Sequence, residues 1–253
     1  ASDVYKRQIN MSRQLEPYQL IERSIQKKFH KVLWTPFITA IKQYELIAPG
    51  DRIAVCISGG KDSMLMAKLL QLLQRHSDVP FEVVNLVMDP GYNAVNRQKI
   101  ESNAALLHIP VTIFETNIFD VTSGIEQSPC YLCARMRRGY LYSKARELGC
   151  NKIALGHHFD DAVETFLLSL VYEGRISCFQ PVTHMTRTGV DQIRPMLYAG
   201  EGRIANLAKA LALPIVENPC PEDRGSKRYE IKQFIRTMSQ TYPDLRSKVF
   251  GAI

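Results

Sequence analysis

One short segment combines hydroxyls, glycines, a cation and a carboxylate between two apolar segments, and it reads Ser58-Gly59-Gly60-Lys61-Asp62-Ser63. The β-branched run before it predicts a buried strand, and the apolar residues of 64–73 after it recur at helical spacing. A glycine turn at such a junction exposes backbone N–H groups at the positive end of a helix dipole, which favours a phosphate. The segment therefore predicts a phosphate-binding loop, with Asp62 or Ser63 capping the helix. The alternative is an ordinary strand-to-helix turn.

Two better-known phosphate-binding patterns are excluded. The Walker A loop requires Gly-x-x-x-x-Gly-Lys-Ser/Thr, and that pattern is missing here. The dinucleotide fingerprint requires a third glycine at a fixed offset and an acidic residue about 20 positions further on, and this sequence does not meet that requirement.

A second polar segment follows an apolar run at 152–155, and it reads Gly156-His157-His158-Phe159-Asp160-Asp161. Either Asp160 or Asp161 could hold Mg²⁺, because this ion prefers hard oxygen ligands. Asp161 could also cap the following helix, a role compatible with metal binding. The adjacent histidines could ligate a transition metal, but neighbouring residues point their rings apart, which disfavours that alternative.

Three cysteines form a third candidate site. Cys130 and Cys133 make a Cys-x-x-Cys pair, and Cys220 follows far downstream. Such a pair suits a redox couple, half of a zinc site or part of an iron–sulfur site. A closed zinc site needs a second Cys-x-x-Cys pair, which this sequence lacks. A zinc deaminase needs an upstream His-x-Glu, which is also missing here. Three thiolates would suit a cubane cluster with one iron left free, whereas the alternative is an inert pair unrelated to Cys220.

Strands and helices must alternate to position these segments. Apolar and β-branched runs predict strands at 52–57, 81–88, 111–114, 152–155 and 215–216. Helical periodicity falls at 64–73, 93–107, 131–148, 161–172, 202–211 and 227–238. Residues 175–195 predict a loop or hairpin that enters a strand near 192–194. This alternation indicates βαβ units and a parallel sheet, on which ligands bind beyond the carboxyl ends of the strands.

The chain has 253 residues, which we predict to form one α/β domain with helical ends. Residues 1–10 precede Met11 without a clear period, so we expect a non-native leader there. Helices are predicted across 11–50, the Rossmann-like domain across 51–217, and a C-terminal segment with Cys220 and a helix across 218–253.

The composition limits the cellular compartment and the kinds of partner that we expect for this protein. Apolar runs stay short of 18 residues, so we expect no membrane span. Six cysteines without a signal peptide favour a reducing, cytoplasmic compartment. The net charge of +7 is compatible with nucleic acid. Basic residues of 27–34, with aromatic neighbours, could face RNA or form a solvated helix face, and the same two alternatives hold for Arg224, Lys227, Arg228, Lys232 and Arg236.

The first two segments resemble the motifs of the PP-loop ATP pyrophosphatases, namely Ser-Gly-Gly-Lys-Asp-Ser and Gly-His-x-x-Asp-Asp. This resemblance implies an adenine nucleotide alpha hydrolase-like fold and an enzyme that cleaves ATP between its α and β phosphates, adenylating a carbonyl oxygen. The run from Cys130 to Gly139, together with 152–161, narrows the resemblance to the tRNA 2-thiocytidine synthetase (TtcA) family, across roughly residues 30–240.

The TtcA resemblance implies a tRNA thiolation site. Cys130, Cys133 and Cys220 would hold a [4Fe–4S] cluster whose free iron carries sulfur, although Asp223 stands where the family often has a further cysteine. ATP and Mg²⁺ would bind at residues taken from the two motifs: Ser58, Gly59, Gly60, Lys61, Asp62, Ser63, Gly156, His157 and Asp161. The implied catalytic residues are Lys61, Asp62, Asp161, Cys130 and Cys133.

The resemblance also implies partners. The substrate would be a cytidine of tRNA, at position 32 of the anticodon loop, and sulfur would come from a donor such as a cysteine desulfurase. Arg135, Arg137 and Arg138 could contact RNA phosphate or simply solvate their helix. A homodimer is a further expectation. The alternatives are a PP-loop enzyme that acts on uridine or another carbonyl, and a nucleotide-binding iron–sulfur sensor without turnover.

Overall fold

The computed structural model of this protein describes residues 15–118, 121, 129–216 and 226–253, with only the backbone described at 129–131. The strands are β1 (Arg52–Ile57), β2 (Glu82–Asp89), β3 (Thr112–Glu115), β4 (Lys152–Ala154), β5 (Val182–Met185) and β6 (Val190–Ile193). The helices are α1 (Pro17–Gln26), α2 (Thr35–Gln43), α3 (Lys61–His76), α4 (Ala94–Leu106), α5 (Pro129–Glu147), α6 (Phe159–Leu168), α7 (Glu201–Ala210), α8 (Lys227–Thr241) and α9 (Leu245–Gly251). Short π-helical turns lie at His30–Trp34 and Ser169–Glu173.

The described strands form one sheet in the order β3-β2-β1-β4-β6-β5. Every neighbouring pair is parallel except β5 with β6, which form an antiparallel hairpin at the edge. Helices connect the parallel strands, as crossover connections require. The predicted α/β fold with a mostly parallel sheet is therefore confirmed, whereas the domain limits, including a leader that lies outside the described residues, stay predictions.

Strand β1 lies at the centre of the sheet. Ile53, Ala54 and Val55 are fully buried, because helices cover both faces of a parallel sheet. Val55 stands opposite Asn85 of β2 on one side and Ala154 of β4 on the other. Since β1 and β4 are parallel neighbours, the segments that follow them leave the sheet at the same edge. This adjacency brings the two sequence motifs together.

Helix α3 anchors the first of these segments to the core. Met64, Met66, Leu69 and Leu70 are fully buried, and each such side chain stabilises the fold by about 1.5–3 kcal/mol. On the same helix Lys68 is completely buried, and its Nζ donates to Glu22 Oε1 at 2.6 Å and to two further oxygens. This ion pair ties α1 to α3, so the N-terminal helices stabilise the helix that carries the motif.

The structure corrects several local predictions. Residues 215–216 do not form a strand, and instead the Val216 N–H donates to the carbonyl oxygen of Gly59 at 3.2 Å. The hairpin expected within 175–195 is confirmed as β5 and β6, whereas α9 was not predicted. None of the helices in the described part of the chain combines the length and apolar character that a membrane span requires.

Candidate active site

The loop Ser58–Ser63, called the phosphate loop below, closes back onto the first turn of α3. The Ser58 N–H donates to Ser63 Oγ at 3.1 Å, and Ser63 Oγ donates to the Gly60 carbonyl at 3.1 Å. The two serine hydroxyls also lie 3.1 Å apart. Gly60 is the N-cap of α3 and provides no side chain for capping, so the prediction that Asp62 or Ser63 caps this helix is wrong. The loop thus leaves backbone N–H groups at the α3 N-terminus for an anion.

Gly59 gives the phosphate loop its shape. Its φ of +84° lies in the left-handed region, which glycine adopts without strain. A Cβ atom at this position would come within 2.8 Å of Ile100 Cγ1 and 2.9 Å of Val216 Cγ2. Gly60 differs, since a Cβ there would meet Ser58 Oγ at an ordinary 3.6 Å. The two adjacent glycines are therefore required to different degrees.

Replacement of Gly59 by alanine is expected to weaken ATP binding at least tenfold, because strain and the Ile100 and Val216 clashes would displace the phosphate loop. Gly60→Ala in the same loop is expected to change ATP affinity less than threefold. Isothermal titration with ATP compares both variants, with circular dichroism as a folding control. Equal affinities for the two variants would contradict the assignment of loop shape to Gly59.

The second motif packs directly on the phosphate loop through Gly156. A Cβ on Gly156 would lie 3.3 Å from the Ser63 backbone nitrogen and 3.4 Å from the Asp62 carbonyl carbon. Beyond it, His158 is the N-cap of α6, and its Nδ1 accepts the Asp161 N–H at 3.3 Å. The His158 N–H in return donates to Asp161 Oδ2 at 3.0 Å. Asp161 is therefore the third residue of the helix in a reciprocal capping pair, and the predicted N-cap role belongs to His158.

The buried ring of His158 brings together carboxylates from both motifs. Its Nε2 lies 3.8 Å from Asp62 Oδ1 and 3.4 Å from Asp161 Oδ2. Asp62 Oδ1 is a buried atom that has no hydrogen-bond partner among the described residues. A buried unpaired carboxylate oxygen is costly unless a ligand completes it. Asp62 and Asp161 thus bring carboxylate oxygens of both motifs to the same histidine, although the described residues contain no group of three side chains that could hold a metal ion without further ligands.

Lys61 is held at the mouth of the phosphate loop by two acidic side chains. Its Nζ donates to Asp62 Oδ2 at 3.2 Å and to Glu201 Oε1 at 3.0 Å. Burial works against the charged form, but the nearby carboxylates of Asp62 and Glu201 outweigh it and raise the pKa of Lys61. The lysine is therefore a cation at neutral pH. Sequence patterns did not identify Glu201, which lies 140 residues from Lys61 and carries no recognisable motif.

Asp160 and Asp161 have separate roles, which the sequence left open. Asp160 Oδ2 accepts the N–H of Glu201 at 2.7 Å, and its Oδ1 accepts from Arg246 Nη1 at 2.9 Å. Asp160 thus holds the start of α7 and with it the partner of Lys61. Asp161 is the carboxylate that faces His158 and Asp62.

His157 contacts residues that lie outside both motifs. Its Nδ1 accepts from Arg194 Nε at 3.3 Å, and its ring stacks on Phe179 with centroids 5.0 Å apart. Neither Arg194 nor Phe179 was identified from the sequence, since neither belongs to a motif.

Helix α5 carries the cysteine pair past the phosphate loop. Cys133 is a free, partly buried thiol, the side chain of Cys130 is not described, and Cys220 lies outside the described residues. Tyr92 lies against the phosphate loop, because its hydroxyl donates to the Ser58 carbonyl at 3.4 Å. Burial raises the pKa of Tyr92, and Arg137 of α5, Asp89 and Cys133 lie within electrostatic range of the same phenol. Cys133 is thus in the neighbourhood of Tyr92, the residue that contacts the loop.

Other described cysteines are poorly suited to be thiolates. Burial raises the pKa of Cys56 to about 12, and burial also raises the pKa of Cys150 and Cys178. A raised pKa keeps a thiol protonated and unreactive at neutral pH.

A polar cavity of about 300 Å³ opens beside Glu201, between α6, α7, α8 and α9. Its charged lining residues are Asp160, Glu164, Glu201, Lys232, Arg236 and Arg246. Arg228 contacts Glu164 Oε2 at 3.2 Å and Asp161 Oδ1 at 4.0 Å, and Lys232 lies 3.7 Å from Glu164. Burial raises the pKa of Glu164 despite these cations. Part of the basic face of α8 therefore balances buried acids rather than facing solvent alone.

Comparison with known proteins identifies the family to which this chain belongs. The family model described as a PP-loop domain matches residues 20–238. A tRNA-cytidine(32) 2-sulfurtransferase of Syntrophotalea carbinolica is 37% identical over 219 residues, covering 85% of each chain. The enzyme of the same name from Alkalilimnicola ehrlichii is 35% identical over 218 residues, covering 85% of this chain and 69% of its own. The chain belongs to the tRNA-cytidine(32) 2-sulfurtransferase family of PP-loop enzymes.

A solved structure agrees with this fold. The U34-tRNA thiolase NcsA from Methanococcus maripaludis, solved with its [4Fe-4S] cluster, superposes with a TM-score of 0.69. The match covers 86% of this chain and 76% of that one at 22% identity, which establishes a shared fold. The resemblance predicted from the motifs is thus confirmed at the level of family, fold and enzyme class. The individual site residues stay predictions.

Proposed function

We propose that this enzyme thiolates tRNA by adenylating the C2 carbonyl of a cytidine, at position 32 of the anticodon loop, and replacing its oxygen with sulfur. The observation that carries the proposal is the convergence of the phosphate loop, Lys61 and the Asp62–His158–Asp161 group, with the cysteine-bearing helix α5 alongside. The activity for which the relatives from Syntrophotalea carbinolica and Alkalilimnicola ehrlichii are named supports the choice of cytidine.

The first half-reaction uses the phosphate loop. ATP phosphates would bind the N–H groups at the start of α3, and Lys61 would stabilise the negative charge that develops on them. Mg²⁺, held by Asp62 and Asp161, would neutralise phosphate charge when bound. The cytidine C2 oxygen attacks the α-phosphorus, the bond to the β-phosphate breaks and pyrophosphate leaves. The C2 oxygen is then esterified to AMP.

The second half-reaction replaces that oxygen. A sulfide adds to C2, the C2–O bond breaks, and AMP departs with the former carbonyl oxygen. Cys130 and Cys133 stand three positions apart in the sequence of α5. Together with Cys220 they provide the three thiolates for a [4Fe–4S] cluster, which would supply a sulfur-binding iron. The target base must leave its stack to reach the loop, as recognition of single-stranded RNA generally requires.

The decisive experiment combines two measurements on anaerobically reconstituted protein. Pyrophosphate release is followed with ATP, sulfide and tRNA transcripts that carry cytidine or uridine at position 32, and the nucleosides are then analysed by mass spectrometry. We expect tRNA-dependent release and 2-thiocytidine only from the cytidine transcript. The product 2-thiouridine would contradict the proposed base. ATP cleavage that is indifferent to tRNA would contradict the proposed substrate, and no cleavage would favour a sensor.

The proposed partners follow from the same chemistry. The reaction consumes one sulfur atom per product, so a donor system such as a cysteine desulfurase must supply it. A tRNA substrate would be consistent with an enzyme of the cytoplasm. A homodimer remains part of the proposal, and light scattering of the reconstituted protein tests it.

A further inference from the structure

Arg194 is a buried arginine at the end of β6, with an exposure of only 5%. Because β6 is the parallel neighbour of β4, its carboxyl end lies beside the segment that carries His157. Arg194 Nη1 donates to the Gln180 carbonyl and to Thr183 Oγ1, which fixes the guanidinium on the β5 side of the sheet. The guanidinium carbon also lies 4.7 Å from the centre of the Phe179 ring. Its orientation is therefore determined by several contacts.

This orientation determines which nitrogen of His157 carries hydrogen. Arginine nitrogens only donate, so His157 Nδ1 must accept the hydrogen bond from Arg194 Nε at 3.3 Å. The hydrogen of a neutral imidazole is then on Nε2. Burial lowers the pKa of His157 to about 4, and the positive charge of Arg194 acts in the same direction, against the opposing charge of Asp161. The ring is therefore neutral at pH 7.

The Nε2–H of His157 is available to a ligand. Among the described residues Nε2 has no hydrogen-bond partner, and it is not among the fully buried unpaired atoms. The stacking with Phe179 fixes the plane of the ring. His157 directly follows Gly156, whose Cα packs against the first turn of α3. The available donor thus lies in the segment that packs on the phosphate loop.

We propose that Arg194 is a positioning residue, which holds His157 as a neutral Nε2–H donor to a phosphate oxygen of bound ATP. The inference rests on the proposed function, because it takes ATP as the ligand of the phosphate loop. It assigns the task of fixing the tautomer to a residue 37 positions away from His157, outside both motifs.

The tautomer itself can be measured without any activity. Long-range proton–nitrogen NMR spectra of protein labelled with ¹⁵N-histidine distinguish a ring with hydrogen on Nε2 from one with hydrogen on Nδ1. We expect His157 to be in the Nε2–H form in the unmodified protein and in Arg187→Met, a control in the same hairpin region. Arg194→Met should give a mixture of tautomers. A wild-type ring with hydrogen on Nδ1, or an unchanged tautomer in Arg194→Met, would overturn the proposal.

Binding of ATP provides the second readout. His157→Gln retains an amide donor near the Nε2 position, whereas His157→Asn places its amide near Nδ1. We expect His157→Asn and Arg194→Met to weaken ATP binding about tenfold, and His157→Gln to remain within about threefold of the unmodified protein. Titration calorimetry without tRNA measures this, so a wrong tRNA substrate would not affect the result. Equal affinity for the Gln and Asn variants would refute a role for the Nε2 donor, even if Arg194→Met proved unstable.

Discussion

Cys133→Ala is expected to abolish tRNA thiolation while pyrophosphate release from ATP remains measurable. The alanine removes one of three predicted cluster thiolates, and two remaining cysteines cannot hold the cluster in its reactive form. Within the described part of the chain, the Cys133 side chain makes no hydrogen bond to the phosphate loop or to Asp161. Bound iron, the 2-thiocytidine content of tRNA and pyrophosphate release are measured on the same preparation.

The matched control is Cys150→Ala. Cys150 is buried in the small apolar cluster between α5 and the sheet, where its pKa is raised by burial. Its replacement should leave the iron content and thiolation within about twofold. Full iron content in Cys133→Ala would refute the ligand assignment. Loss of iron in both variants would indicate a general loss of folding rather than of a ligand.

Lys61→Ala is expected to reduce pyrophosphate release by about 100- to 1000-fold, the effect typical of removing one electrostatic contact to a transition state. Thiolation should fall in parallel, because sulfur transfer requires the adenylated base. Lys61 is the described cation that hydrogen-bonds to both Asp62 and Glu201 at the loop, and it is charged at neutral pH. Single-turnover release of pyrophosphate with tRNA present measures the loss.

Lys209→Ala is the control for this variant. Lys209 is exposed and lies on α7, the same helix that carries Glu201. It should keep pyrophosphate release within about twofold of the unmodified protein. A loss below tenfold in Lys61→Ala would contradict an electrostatic role at the phosphates. The two alanine variants together separate the half-reactions, since Cys133→Ala loses only the second and Lys61→Ala loses both.

The sequence by itself determined the fold class and the meeting of the two motifs. A strand followed by Ser58–Ser63, and a second strand followed by Gly156–Asp161, predict a shared sheet edge. The physical reason is that parallel strands end at the same side of a sheet, whatever the helices between them contain. The glycine turn likewise indicated backbone N–H groups exposed to a phosphate. The difference between Gly59 and Gly60 depended on Ile100 and Val216, which only the folded structure brings near.

Only the tertiary structure decided which side chains support the site. Glu201 approaches Lys61, and Arg194 approaches His157, because α7 and β6 pack beside the motifs, although neither residue belongs to a recognisable pattern. The two aspartates of the second motif diverge for a similar reason. As successive residues of a helix they point in different directions, so Asp160 meets α7 while Asp161 meets His158. Local sequence determines the backbone that carries a motif. Long-range packing determines the partners that orient its side chains and shift their pKa values.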